Sequence, residues 1–207
     1  KGFEGFAGFN LGIAELRGGQ DKDGLLSLAR AGQISATDPA ALAIKDKANL
    51  VLGSRLLEAK RPELAKQHLE RVRLKGPFSA QSLLASGWAD AAQERYERAL
   101  VPWSILAKRN VTDKAVQEAL LAVPHAYGKL NIHGKAALGY GRALEAFGQE
   151  IEKLTGSTRS IREGKFLEAL VREELKQDQD WVIKLRSLPD SPETYYLMEL
   201  MASHDFQ

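Results

Sequence analysis

Apolar residues recur three and four positions apart along almost the whole chain, and no alternating Val/Ile/Thr run lies between turn residues. The pattern predicts consecutive helices over roughly 3–17 and 21–33, 39–59 and 62–75, 79–92 and 94–109, and 113–130 and 133–153. Start signals support these limits. Asp38 precedes Pro39 at a first helical position, Ser79 follows Pro77, Thr112-Asp113 opens another helix, and Ser191-Pro192 opens the last. Gly18-Gly19, Lys75-Gly76-Pro77 and Asn131 to Gly134 are the stops. A further helix is expected from about Ser160 to Lys176, then a short piece around Trp181 to Leu185 and a final helix from Pro192. Connections of a few residues force successive helices to lie antiparallel as neighbours.

Small residues recur in one register within this pattern. Gly12, Gly53 and Gly87 fall in the middle of first helices, where glycine costs up to about 1 kcal/mol relative to alanine. Gly24, Ala65 and Ala99 stand at the matching place in the second helices, and Leu28, Leu69 and Trp103 follow one turn later. A cost repeated at one register points to close helix–helix approach, with the large residue filling the space beyond. Gly53 and Gly87 are 34 residues apart; Gly12 and Gly53 are 41 apart, one such period plus a seven-residue insertion. Each pair buries only part of its apolar surface, so neighbours must stack to complete a core.

These residues resemble tetratricopeptide repeats, a family of helix-pair solenoids that bind peptides and proteins. The likeness covers roughly residues 5–148. The fourth unit diverges: Leu120, Val123, Tyr127, Ala136, Tyr140 and Ala143 match, but Pro124 takes the small-residue position, 37 residues after Gly87. The expected fold is all-α, a right-handed α-solenoid of antiparallel helix pairs. About four pairs would occupy residues 1–153, with a C-terminal helical extension over 154–207. Pro102 and Pro124 fall inside consecutive predicted helices, so a change of superhelical curvature is expected between the third and fourth units.

The resemblance implies that the first helix of each pair lines a concave groove. Transferred residue by residue, the partner-binding set is Phe9, Ile13 and Arg17; Lys47, Leu50, Ser54 and Glu58; Gln81, Leu84 and Trp88; and Glu118, Leu121, His125 and Lys129. The same transfer places Phe6, Leu16, Leu57, Ala91, Ala92 and Gly128 among the groove-lining positions. An apolar strip of Phe9, Ile13, Leu50, Leu84, Trp88 and Leu121 suits a peptide with apolar anchors, and the charges would set register. The competing reading is that the chain's own tail covers this strip. Some members of the family clamp a terminal carboxylate with Lys and Asn; here Phe9, Ile13, Val51 and Ala85 stand at those places, which argues against that use.

Composition narrows the chemistry. Lys+Arg 29 against Asp+Glu 27 leaves a formal charge of +2, and the basic cluster Arg71, Arg73, Lys75 ends a helix whose dipole it complements. No nucleic acid is expected as a partner. There are no cysteines, which removes disulfides, zinc–thiolate sites and Cys nucleophiles. His68, His125, His133 and His204 make no i,i+4 ligand pair and no HExxH occurs, so no metal is expected. Gly134-Lys135 lacks the upstream glycine of a phosphate loop, and Gly139-Tyr-Gly141 lacks a preceding strand, so no cofactor is expected either. Asn110-Val-Thr112 reads as a loop and cap rather than a glycosylation site. No apolar run reaches the ~18 residues of a membrane helix.

The expected function is therefore non-catalytic: a scaffold or adaptor holding a protein or peptide segment. A self-associating module, or the anchoring domain of a larger enzyme, are the alternatives. The missing cysteines and the opening at Lys1 rather than Met suggest a bacterial envelope protein, periplasmic or outer-membrane-associated, with the cytoplasm as alternative. The chain ends where the second helix of a pair could begin, so a piece of a longer array is expected.

Overall fold

The computed structural model describes residues 4–165 and Tyr196. Among these residues eight α-helices run in order: α1 (Glu4–Arg17), α2 (Asp21–Ala31), α3 (Pro39–Glu58), α4 (Pro62–Leu69), α5 (Ser79–Ala91), α6 (Tyr96–Leu106), α7 (Lys114–Lys129) and α8 (His133–Arg162). No strand occurs among the described residues. The chain divides into two compact units, residues 1–143 and 144–207.

In the first unit α1 packs on α2, α3 on α4 and α5 on α6, while α1, α3, α5 and α7 touch in succession. The unit is thus an all-α solenoid of helix pairs, as the pattern predicts. Capping is local and physical: the Asp38 carboxylate accepts from Ala41 N at 2.9 Å at the start of α3. Asp113 does the same for Ala115 N at 2.8 Å at the start of α7.

The small-residue register is where the pairs close. A Cβ placed on Gly53 would lie 2.5 Å from Leu69 Cδ2 and 3.2 Å from the Ala65 carbonyl oxygen. On Gly12 it would meet Leu28 Cγ at 2.9 Å and the Gly24 oxygen at 3.0 Å, and on Gly87 it would fall inside the Trp103 indole. The fourth unit reverses this polarity. Pro124 is fully buried on α7, and Gly139 on α8 makes room for it, since a Cβ there would stand 2.8 Å from Pro124 Cβ.

The seven-residue insertion lengthens α3, which has 20 residues against 13 in α5, and α3 is reached from α2 through the loop 32–38. Its Ile34 side chain lies over Gly5, and its carbonyl accepts from Lys45 Nζ at 3.0 Å. Side chains of the next first helix also close the frayed ends of the preceding second helix. Asn49 Nδ2 donates to the Gly32 oxygen at 2.9 Å, and Ser82 Oγ donates to the Leu69 oxygen at 2.6 Å. These bonds satisfy orphan helix-end carbonyls and fix the stacking of one pair on the next.

Three boundaries depart from expectation. The second helix of the second pair stops at Leu69, not 75, because Asp46 on α3 draws the chain aside. Its Oδ1 accepts from Arg73 N at 3.2 Å and its Oδ2 from Arg73 Nε at 2.8 Å. The second helix of the third pair stops at Leu106, not 109, where the Arg109 guanidinium turns back to Ser79 Oγ at 2.8 Å. The last described helix does the opposite and runs unbroken to Arg162, through the break expected between 153 and 160. Thr155 and Thr158 donate their hydroxyls to the carbonyls four residues back, Ile151 at 2.7 Å and Leu154 at 2.8 Å, so they sit inside a helix without an unpaired group. The helical stretch expected over 166–176, the piece around Trp181 to Leu185 and the helix from Pro192 lie outside the described residues, apart from Tyr196.

Candidate functional site

The residues expected to line a groove divide by depth. Phe9 is 6% exposed and belongs to a core cluster with Leu28, Ala31, Ala48 and Leu52. Ile13 and Leu16 pack against the same cluster, half-buried. Leu84 is half-buried between the clusters that hold Leu106 and Trp103, and Leu50, Ser54 and His125 are also half-buried. Arg17, Lys47, Glu58, Gln81, Trp88, Glu118, Leu121 and Lys129 are exposed.

Two places bring expected residues together. Lys47 on α3 holds its ammonium 5.4 Å from the centre of the Phe9 ring and 5.8 Å from that of Phe78, a cation between two aromatic faces. Trp88 on α5 donates its indole N–H to Glu118 Oε1 on α7 at 2.6 Å. Its ring also meets the buried Trp103 edge-on, centroids 4.9 Å apart and planes at 70°. A large aromatic is thereby held in one orientation with 38% of its surface open to solvent. Leu121, one turn from Glu118 on α7, is 45% exposed. Glu58 instead pairs with Arg55 at 3.0 Å on its own helix, and His125 meets Tyr96 edge-on at 6.3 Å.

A second feature was invisible in the repeat pattern. Asp90 is completely buried on α5, salt-bridged through Oδ2 to Lys66 of α4, with Arg98 Nε of α6 at 3.9 Å from Oδ1. Beside it, a cavity of about 400 Å³ opens between α4, α5 and α6, walled by Leu69, Val72, Leu83, Val101, Pro102 and Ile105. Lys66 and Arg98 also line it, and none of the expected groove residues does. The one signal in the sequence is a carboxylate flanked by Ala89 and Ala91, a charge set into an otherwise small, apolar turn.

His68 has a displaced pKa. Burial lowers it below the ordinary 6.5, and the nearby Arg71 charge lowers it further. Its Nδ1 lies 3.4 Å from Asn49 Oδ1. Among the described residues no three His, Cys, Asp or Glu side chains are grouped as metal ligands, and no helix is long and apolar enough to cross a membrane.

No protein-family model matches the chain, and no curated protein sequence matches it. Among solved structures, the chain is similar to MamA MSR-1 C2, at a TM-score of 0.45 and 15% identity over 72% of this chain and 99% of that one.

Proposed function

We propose that the first unit is a tetratricopeptide-like scaffold without catalytic activity, whose first helices hold an extended or helical segment of another protein. The observation that carries this reading is Trp88. An indole locked by a hydrogen bond to Glu118 and an edge contact with Trp103, yet 38% exposed, is pre-organised to receive an apolar side chain. Leu121 extends the apolar ground on α7, and Arg17, Lys47, Gln81, Glu118 and Lys129 supply exposed polar groups on the same set of helices. Phe9, buried between α1 and α3, supports the floor of the groove beneath Lys47 rather than anchoring the partner. We also assign the scaffold to a bacterial envelope assembly or secretion machine, on the cysteine-free composition alone.

The test is capture of partners from the lysate of cells that carry the protein, by the wild type and by a Trp88→Ala, Leu121→Ala double variant. A partner held by the wild type and released by the folded double variant supports groove recognition. A partner held equally by both places recognition elsewhere and contradicts it.

A further inference from the structure

The part of α8 in the second unit, Leu144 to Arg162, carries an apolar seam that faces solvent. Leu144 is 75% exposed, Ile151 64%, Leu154 51% and Ile161 50%, with Phe147 half-buried between them and exposed Thr158 completing the row. The spacing of 144, 147, 151, 154, 158 and 161 alternates three and four, the a/d repeat of a coiled coil. Eighteen residues of seam span roughly 27 Å at about 1.5 Å per residue. One flank is occupied within the unit: Tyr196 donates its hydroxyl to Glu150 Oε1 at 2.5 Å, and Ser157 and Ser160 are buried. On the other flank no described residue would stand within 4 Å of a Cβ on Gly148.

We infer that this seam pairs antiparallel with the same seam of a second copy. The spacing of the row permits that occupant, and the charges of the helix select it. First, the row is symmetric about the point between Glu152 and Lys153. An antiparallel copy sets Leu144 against Ile161, Phe147 against Thr158 and Ile151 against Leu154, and repeats the three layers on the other side of the dyad. Every a position then meets a d position, as antiparallel coiled coils require. Second, the charges divide at the same point. Exposed Glu145 and Glu152 lie before it and exposed Arg159 and Arg162 after it, while Glu150 and Lys153 pair with each other within the unit. Antiparallel pairing lays the acidic half of one helix along the basic half of the other, whereas parallel pairing would align like charges. It also opposes the two helix dipoles. Self-association of this kind leaves groove binding as a separate property of the first unit.

The absence of cysteine makes the geometry testable by cross-linking. Sedimentation velocity of the full chain over a range of concentrations should show a monomer–dimer equilibrium, and Ile151→Glu with Leu154→Glu should weaken it by about a hundredfold with unchanged helical circular dichroism. Mixing Leu144→Cys with Ile161→Cys chains under mild oxidation should give a cross-linked dimer that neither variant forms alone, since like positions at the seam's ends stand roughly 26 Å apart when antiparallel. A monomer at every concentration overturns the inference. So does a dimer indifferent to the two glutamates, or efficient cross-linking of Leu144→Cys with itself.

Discussion

Trp103 lies against Gly87 so closely that a single methyl group on the glycine would occupy the space of its indole. The ring is fully buried, and its N–H donates to the Leu84 carbonyl at 3.1 Å, so it has no route to solvent by which to yield. This contact sets how closely the two helices of the third pair approach.

Gly87→Ala should therefore destabilise the protein by about 1–3 kcal/mol despite the better helix propensity of alanine. Gly53→Ala should cost less, because Leu69 can change rotamer where an indole cannot. Gly141→Ala in α8, where no described residue stands within 4 Å of the added methyl, should stabilise by about 0.5–1 kcal/mol. Chemical denaturation of the three variants checks the ranking.

Asp90 and Lys66 form the second contact on which the third pair depends. Lys66→Met leaves a fully buried carboxylate with only a distant Arg98, and should cost about 3–5 kcal/mol. Removing both charges together, as Lys66→Met with Asp90→Leu, should recover a large part of that loss. A double-mutant cycle in denaturant reads the coupling directly.

Stability should fall as the solution is acidified below the ordinary histidine range. His68 has a lowered pKa in the folded chain, so near and below pH 6.5 the unfolded chain binds the extra proton more readily. The stabilisation from keeping His68 neutral is complete above the unfolded pKa and is lost as the pH drops through the folded one. His68→Gln should flatten this limb of the stability profile, measured by thermal unfolding across that range.

The pairing of helices was legible because its cause is local: a glycine on one helix and a bulky residue on the next recur at fixed spacing, and Gly12, Gly53 and Gly87 are all met by the predicted Leu28, Leu69 and Trp103. Pro124 was legible only as an exception. Its partner is Gly139, one residue short of the Tyr140 that the repeat would supply, and that swap of large for small across two helices leaves no trace in a one-helix pattern. Helix ends failed where a distant group decided them. Asp46 ends α4 by holding Arg73, 27 residues further along the chain, and no rule for local stops contains it. The gap expected between 153 and 160 does not occur, because threonine hydroxyls bonded back along the helix remove the reason to break. At the candidate groove, the register that named Trp88 also named Phe9. The two differ because Phe9 is covered by Ala48 and Leu52 of α3, whereas Trp88 remains open beside α7. Burial between neighbouring first helices depends on how the pairs stack, which repeat spacing alone does not encode.

Asp113→Ala should lower stability by about 1 kcal/mol, since it removes the acceptor for the Ala115 N–H at the start of α7. If α7 carries half of the groove through Glu118 and Leu121, the same substitution should leave partner affinity nearly unchanged in the folded fraction. Asp38→Ala gives the matching loss at α3.

The most direct test of groove recognition is the affinity of a display-selected peptide for three forms of the protein: wild type, Trp88→Ala with Leu121→Ala, and Lys129→Ala. The apolar double variant is predicted to lose about 2 kcal/mol or more of binding, and the exposed-charge variant less than about 0.5 kcal/mol. Equal losses from the two, or none from the first, would contradict an apolar-anchored groove at Trp88.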